Sequence, residues 1–214
     1  SLTAACDWAN VLEVARSGDL RWITSNTTEA GFALDAADHA GTRDHALGSG
    51  GAQAPRSFPA KLLAVLVHRQ QSGLPPVAVL PCELIENNGP VLLDLLRAQA
   101  DIWRLPQDLL DTVATYPVTS THVDRIVSGR PDEHPLLPQD RLLTVAEPYA
   151  LWIVEQRPGH DLFPHPAITV TDDVADYSLR KVRILNGAHT ALVCMTRPLA
   201  IEMVGDAVVH PTVG

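Results

Sequence analysis

No run of lysine and arginine occurs anywhere in this 214-residue chain, whose formal charge is −9 and whose pI is about 5.3. Nucleic acid and anionic membrane surfaces are therefore poor partners, because both are held chiefly by clustered positive charge. Cysteine is scarce too: Cys6, Cys82 and Cys194 are scattered, odd in number and form no Cys-x-x-Cys pair. That pattern argues against a disulfide framework and for a reduced, cytoplasmic protein. The nine histidines never stand at ligand spacing with a second His, Cys or carboxylate cluster, so no metal site is expected. No uninterrupted apolar run reaches membrane-spanning length. Asp7 and Glu13 interrupt the start, where a secretory leader needs a basic segment followed by an apolar one. No Gly-x-Gly-x-x-Gly follows any strand-like segment, so the glycine-rich turn that would cradle a pyrophosphate is missing from these residues.

What is present is apolar and alternating. With 46% hydrophobic residues, the chain has enough for one sizeable core, or for one domain and part of another. Asp7–Arg16 has helical periodicity, stopped by Ser17-Gly18-Asp19, and Arg21–Ser25 reads as a strand entering the polar loop Asn26–Gly31. The segment Asp35–Ala54, rich in Ala, Gly, Asp and His, reads as a mobile loop. A helix over Ala60–Gln71 precedes Pro76–Cys82, a continuous apolar run bounded by prolines that reads as a buried parallel strand. The turn Glu83–Gly89 and a helix over Val91–Ala100 follow it. Strand, polar loop and helix, twice over, is the rhythm of an α/β doubly wound sheet, in which ligands sit beyond the carboxyl ends of the strands.

Thr121–Val127 and Thr144–Glu155 are further strands, the second interrupted by Pro148. From about Tyr177 to Val204 the pattern turns helical. The expected division is therefore residues 1–165, part of a doubly wound domain, and 166–214, the start of an all-helical domain. A start at Ser1 without Met and an end at Gly214 just after an apolar helix read as cuts through a larger fold.

The most informative stretch is Lys181–Thr190 (KVRILNGAHT). On an α-helix, Asn186 stands about 140° and His189 about 80° around the axis from Lys181, which places all three in one sector. A lysine, an amide and an imidazole beside Val182, Ile184 and Leu185 make a plausible proton-transfer site; the alternative is a solvated face with a packing histidine.

Six segments in order carry a resemblance: SNTTEAG at 25–31, SFPAKL at 57–62, PCELIENNG at 81–89, VDRIV at 123–127, EPYALW at 147–152, and Lys181–Thr190. Together the chain resembles the long-chain, zinc-independent polyol and sugar-acid dehydrogenases, the mannitol dehydrogenase group, and within it the branch acting between tagaturonate and altronate. The resemblance implies a Rossmann-type domain followed by the start of a helical one, NAD as cofactor, and a small sugar-acid substrate. It makes Lys181 the general acid/base, with Asn186 and Asn88 as amides holding the reacting oxygen. His189 contacts a substrate hydroxyl, Asp124 and Arg125 contact substrate or brace the site, and Asn26, Thr27 and Glu29 lie near the nicotinamide. For Asn88 the simple alternative is an Asn-Gly turn. Ser120 departs from the family's pattern, which has Asn there. An ordinary lysine titrates near ~10.4, so burial against Val182, Ile184 and Leu185 is expected to push Lys181 down. The rival readings are a sibling acting on fructuronate or mannitol, and a non-catalytic remnant. The oligomeric state is open and compatible with a monomer.

Overall fold

The computed structural model describes residues 4–48, 52–158, 162 and 164–213. Ser1, Gly214 and residues 49–51 of the Ala/Gly/Asp/His-rich stretch lie outside them. The chain divides into two compact units, Ser1–Asp172 and Asp173–Gly214. Ile168–Thr171 forms a strand paired with Leu151–Glu155 and so belongs to the first of these units.

The first unit begins with helix α1 (Ala4–Ala15) and strand β1 (Trp22–Ser25). Helices α2 (Arg43–Ala46) and α3 (Phe58–Gln71) then lead into strand β2 (Ala78–Pro81), which pairs with β1 in parallel, Trp22 opposite Ala78 and Ser25 opposite Pro81. A parallel pair needs a crossover, and α3 provides it. Every residue of β2 is buried, as its unbroken apolar run requires for a strand covered on both faces. Helix α4 (Asn88–Ile102) packs beside α3, and α5 (Gln107–Val113), not anticipated from periodicity, follows. The core of this unit includes Trp8, Leu63, Leu66, Val79, Leu96 and Trp103.

Chain 117–119 adds to the free edge of β2: Val79 N–H donates to Pro117 O at 3.0 Å and Thr119 N–H to Val79 O at 3.0 Å. The run read as one strand at 121–127 splits into β3 (Thr121–Asp124) and β4 (Val127–Gly129). Thr144–Glu155 likewise splits, around Pro148, into β5 (Val145–Ala146) and β6 (Leu151–Glu155). Strand β6 pairs antiparallel with β3 and parallel with β7 (Ile168–Thr171), so this second sheet is mixed.

The stretch expected to be a mobile loop is held by hydrogen bonds. Buried Asp38 accepts from the N–H groups of Arg56 and Ser57 at 2.7 and 2.8 Å and from Ser57 Oγ at 2.7 Å. Ser57 is in turn the N-cap of α3. Trp8 Nε1 donates to Ala46 O at 2.9 Å, fastening α2 to α1. Composition signals a loop here and misses the buried acid that orders it. Buried Arg69 on α3 plays the corresponding part for α1, with Nη1 donating to Ala15 O and Ser17 O at 3.0 and 2.8 Å and Nε to Pro75 O at 2.7 Å.

The second unit holds α6 (Ala175–Arg180), a π-helical segment over Lys181–Asn186, α7 (Gly187–Thr196) and α8 (Val204–Val209). Among the described residues no helix is long and apolar enough to cross a membrane, and no group of three or more His, Cys, Asp or Glu is placed to hold a metal ion.

Candidate functional site

The parallel pair β1 and β2 delivers two loops to one edge of the sheet. The loop after β1 carries Asn26 and Glu29, both exposed, and half-buried Thr27. Thr28 Oγ1 accepts from Gly31 N–H at 3.3 Å and caps the short helical turn Glu29–Gly31, which ends the loop. The loop after β2 begins with Cys82, whose N–H donates to Ser25 O at 2.7 Å, and with Glu83, whose buried carboxylate reaches across to the first loop. Ser25 Oγ donates to Glu83 Oε2 at 3.0 Å, while Thr27 N–H and Thr27 Oγ1 donate to Oε1 at 2.8 and 3.1 Å. Asn26, Thr27 and Glu29 are thus brought together where an α/β sheet places its ligand.

Asn88 opens α4 behind Asn87, whose left-handed backbone (φ 53°) suits an asparagine better than other non-glycine residues. Asn88 is 1% exposed, and its Nδ2 donates to Pro81 O, Glu83 O and Thr121 O, each at 2.9 Å. Its Oδ1 accepts from Thr121 N–H at 3.0 Å. An amide nitrogen has two hydrogens, so Asn88 is fully engaged within the protein. It fastens the end of β2 to the start of β3 rather than facing outward as a free donor. Asn88 and Gly89 are helical, the first residues of α4, and the turn lies just before them at Glu86–Asn87.

Thr121 Oγ1 donates to Pro81 O and lies 3.8 Å from Cys82 Sγ. Burial pushes the Cys82 thiol up from its ordinary value and the Glu83 charge adds to this, against a smaller opposing effect of the Thr121 hydrogen bond. Thiolate is the reactive form. With an aromatic disulfide reagent near neutral pH, exposed Cys6 and Cys194 are expected to label rapidly and Cys82 at least ~10-fold more slowly. Three equal labelling rates would contradict the burial of Cys82.

Asp124 ends β3, half-buried, opposite Leu151. Arg125 is exposed and directs Nε and Nη2 to Glu147 O at 3.0 and 2.9 Å, while Glu147 Oε1 accepts from Ile126 N–H at 2.6 Å. The guanidinium therefore braces the segment between β5 and β6 from the end of β3. Ser120 N–H donates to Glu155 Oε2 at 3.3 Å, and Ser120 O accepts from Glu155 N–H at 3.0 Å.

In the second unit, Lys181, Asn186 and His189 fall on one continuous helical run, but not on an unbroken α-helix. Gly187 N–H donates to Val182 O, five residues back. On an α-helix Lys181 and Asn186 would stand about 140° apart. Closing bonds five residues apart stacks the two more nearly one over the other, and such π-turns recur at functional sites. His189 Nδ1 lies 2.9 Å from Leu185 O. A carbonyl only accepts, so Nδ1 carries the hydrogen and Nε2 of the neutral ring is the acceptor. Asn186 is exposed, and its side-chain amide makes no hydrogen bond among the described residues. The apolar wall expected around Lys181 is absent from this unit: Val182, Ile184 and Leu185 are 54%, 67% and 43% exposed. One helical run and a short helix cannot cover their own apolar side.

Sequence reasoning missed Glu83 and Asp38. Both are acids whose partners lie far along the chain, 56 and 58 residues for Glu83 and 18 and 19 for Asp38. The signal within the chain was a set of hydroxyl residues, Ser25 and Thr27 opposite Glu83 and Ser57 opposite Asp38.

A family model described as the mannitol dehydrogenase Rossmann domain matches residues 1–163. Altronate oxidoreductase of Bacillus subtilis (strain 168) is 36% identical over 225 residues, covering 97% of this chain and 45% of that protein. Altronate oxidoreductase of Klebsiella pneumoniae subsp. pneumoniae is 36% identical, covering 96% of this chain and 44% of that protein. The chain thus spans about half the length of the curated relatives it matches. The substrate-free crystal structure of D-sorbitol dehydrogenase superposes with a TM-score of 0.74 at 21% identity, over 97% of this chain and 45% of that one. Pseudomonas fluorescens mannitol 2-dehydrogenase, in a ternary complex with NAD and D-mannitol, superposes with a TM-score of 0.68 at 23% identity, over 92% and 42%.

Proposed function

The chain belongs to the mannitol dehydrogenase family, and from that membership we propose that the intact protein transfers a hydride between NAD(H) and a sugar acid, with tagaturonate and altronate as the pair. The observation that carries the reading is the set of Lys181 and Asn186 on a π-turn with His189 on the helix that continues it, in a chain 36% identical to altronate oxidoreductases. The cofactor assignment is supported by the parallel pair β1 and β2, whose loops offer Asn26, Thr27 and Glu29 to the nicotinamide end.

A bound nicotinamide would supply or accept the hydride. The chain's own residues handle the proton and the oxygen. Lys181 Nζ holds the proton given to the nascent alkoxide in reduction and takes it back in oxidation. The Asn186 amide donates to the same oxygen, stabilising charge as it develops. His189 Nε2 accepts from a neighbouring substrate hydroxyl. Asn88 positions rather than touches, because its amide hydrogens are already engaged, and Arg125 braces the Glu147 segment through Nε and Nη2. No step requires a metal.

With NADH and a panel of tagaturonate, fructuronate and fructose, the intact protein is expected to favour tagaturonate by at least ~10-fold in kcat/KM, about 1.4 kcal/mol of discrimination. A chelator should leave the rate unchanged. Preference for fructuronate or fructose would move the assignment to a sibling activity, and no turnover of any of the three with NADH or NADPH would refute it.

A further inference from the structure

Glu83 is 2% exposed, and no cation pairs with its carboxylate among the described residues. Burying an ionised carboxylate is unfavourable unless hydrogen bonds replace its hydration. All three of its hydrogen bonds come from Ser25 and Thr27, a single short piece of chain at the end of β1. The charge and the loop therefore stabilise each other: the loop solvates the carboxylate, and the carboxylate fixes the loop. Asn26 lies inside this clasp, and Glu29 follows it by one capped turn.

We propose that Glu83 is a positioning residue that sets the affinity for the dinucleotide by holding Ser25–Thr27 in one conformation. This rests on the reading that Asn26, Thr27 and Glu29 face the nicotinamide end. The geometry separates acceptor placement from charge. A glutamine at 83 offers its oxygen to Thr27 N–H and Oγ1 and its NH₂ to Ser25 Oγ, since a hydroxyl also accepts. An aspartate keeps the charge but is one methylene shorter and loses the reach. Glutamine is therefore the conservative substitution and aspartate is not.

The test is a fluorescence titration of NADH with the intact protein and its E83A, E83D and E83Q variants, together with KM for each substrate and kcat. E83A and E83D are expected to raise the Kd and KM for NADH about 10-fold or more, the equivalent of one hydrogen bond to a charged group. The KM for the sugar acid should hold, kcat should stay within ~3-fold, and E83Q should bind NADH within ~3-fold of wild type. A purely structural role would instead lower thermal stability and shift every parameter together. Unchanged Kd in E83A and E83D, or E83Q no better than E83A, overturns the proposal. Should those two variants fail to fold, Ser25→Ala removes one donor from the loop side; it is expected to weaken NADH binding ~3-fold, and an unchanged Kd overturns the proposal equally. Wild-type protein that binds neither NADH nor NADPH refutes the functional reading instead. In that case the affinity claim falls with the functional reading, and amide hydrogen exchange at residues 26–28 decides whether Glu83 holds the loop: faster exchange in E83A but not in E83Q sustains that holding role, and equal rates overturn it.

Discussion

Lys181→Ala in the intact protein is expected to lower turnover about 10³-fold while NADH binds within twofold of wild type. The argument starts from stoichiometry. Reducing a ketone places a hydride on carbon and leaves charge on oxygen, and without a metal only a side chain can deliver the proton. Among Lys181, Asn186 and His189, the lysine ammonium carries the proton that an alkoxide can take at least cost, since an amide and a neutral imidazole hold theirs more tightly. Arg cannot substitute, since a guanidinium does not release its proton under these conditions. Lys181→Arg is therefore expected to be as slow as Lys181→Ala, although the charge is kept. Single-turnover measurements beside NADH titration separate the two effects. Turnover within a few-fold of wild type in either variant would remove Lys181 from the mechanism.

Gly89→Ala is the second large effect, and it concerns stability. A Cβ at position 89 would lie 2.6 Å from Ser120 N and 2.8 Å from the Thr119 carbonyl carbon, with Ser120 Oγ at 3.1 Å. Both nearest atoms belong to the backbone, so no side chain can swing aside. In an open helix the same change would stabilise by up to ~1 kcal/mol. Here overpacking reverses the sign, for a net loss of about 3 kcal/mol, or roughly 6–12 °C in Tm for a chain of this size. Denaturant unfolding should show a lower midpoint at unchanged slope. A loss under ~1 kcal/mol would mean that α4 and residues 119–120 do not approach so closely.

These two residues show what the sequence makes legible. Apolar periodicity located α3 and β2 because burial of an unbroken apolar run leaves a trace in the chain itself. It failed where long-range partners decide. The stretch around Asp38 has the composition of a loop, yet backbone donors at 56 and 57 fix it. Asn88 looked like either a turn or a donor to substrate, and its actual partners, Pro81 and Thr121, became visible only once β2 and β3 stood side by side. At Lys181–Asn186 the residue types were readable, but the backbone was not, since a π-turn has no compositional signature comparable to a cap or a heptad.

That turn has a further consequence for how related chains should be compared. A π-turn is equivalent to one extra residue threaded into an α-helix. Removing any one residue between Val182 and Leu185 would let the run close as a plain α-helix, with the asparagine then four and the histidine seven residues from Lys181, at about 40° and 340° around the axis. Both would stay on the lysine's face. A chain of equal length that closed the same run as a plain α-helix would instead turn its asparagine about 140° away. A single-residue gap aligned to this segment is therefore a change of helix type that keeps the shared face, and an ungapped alignment does not by itself show that the three side chains converge.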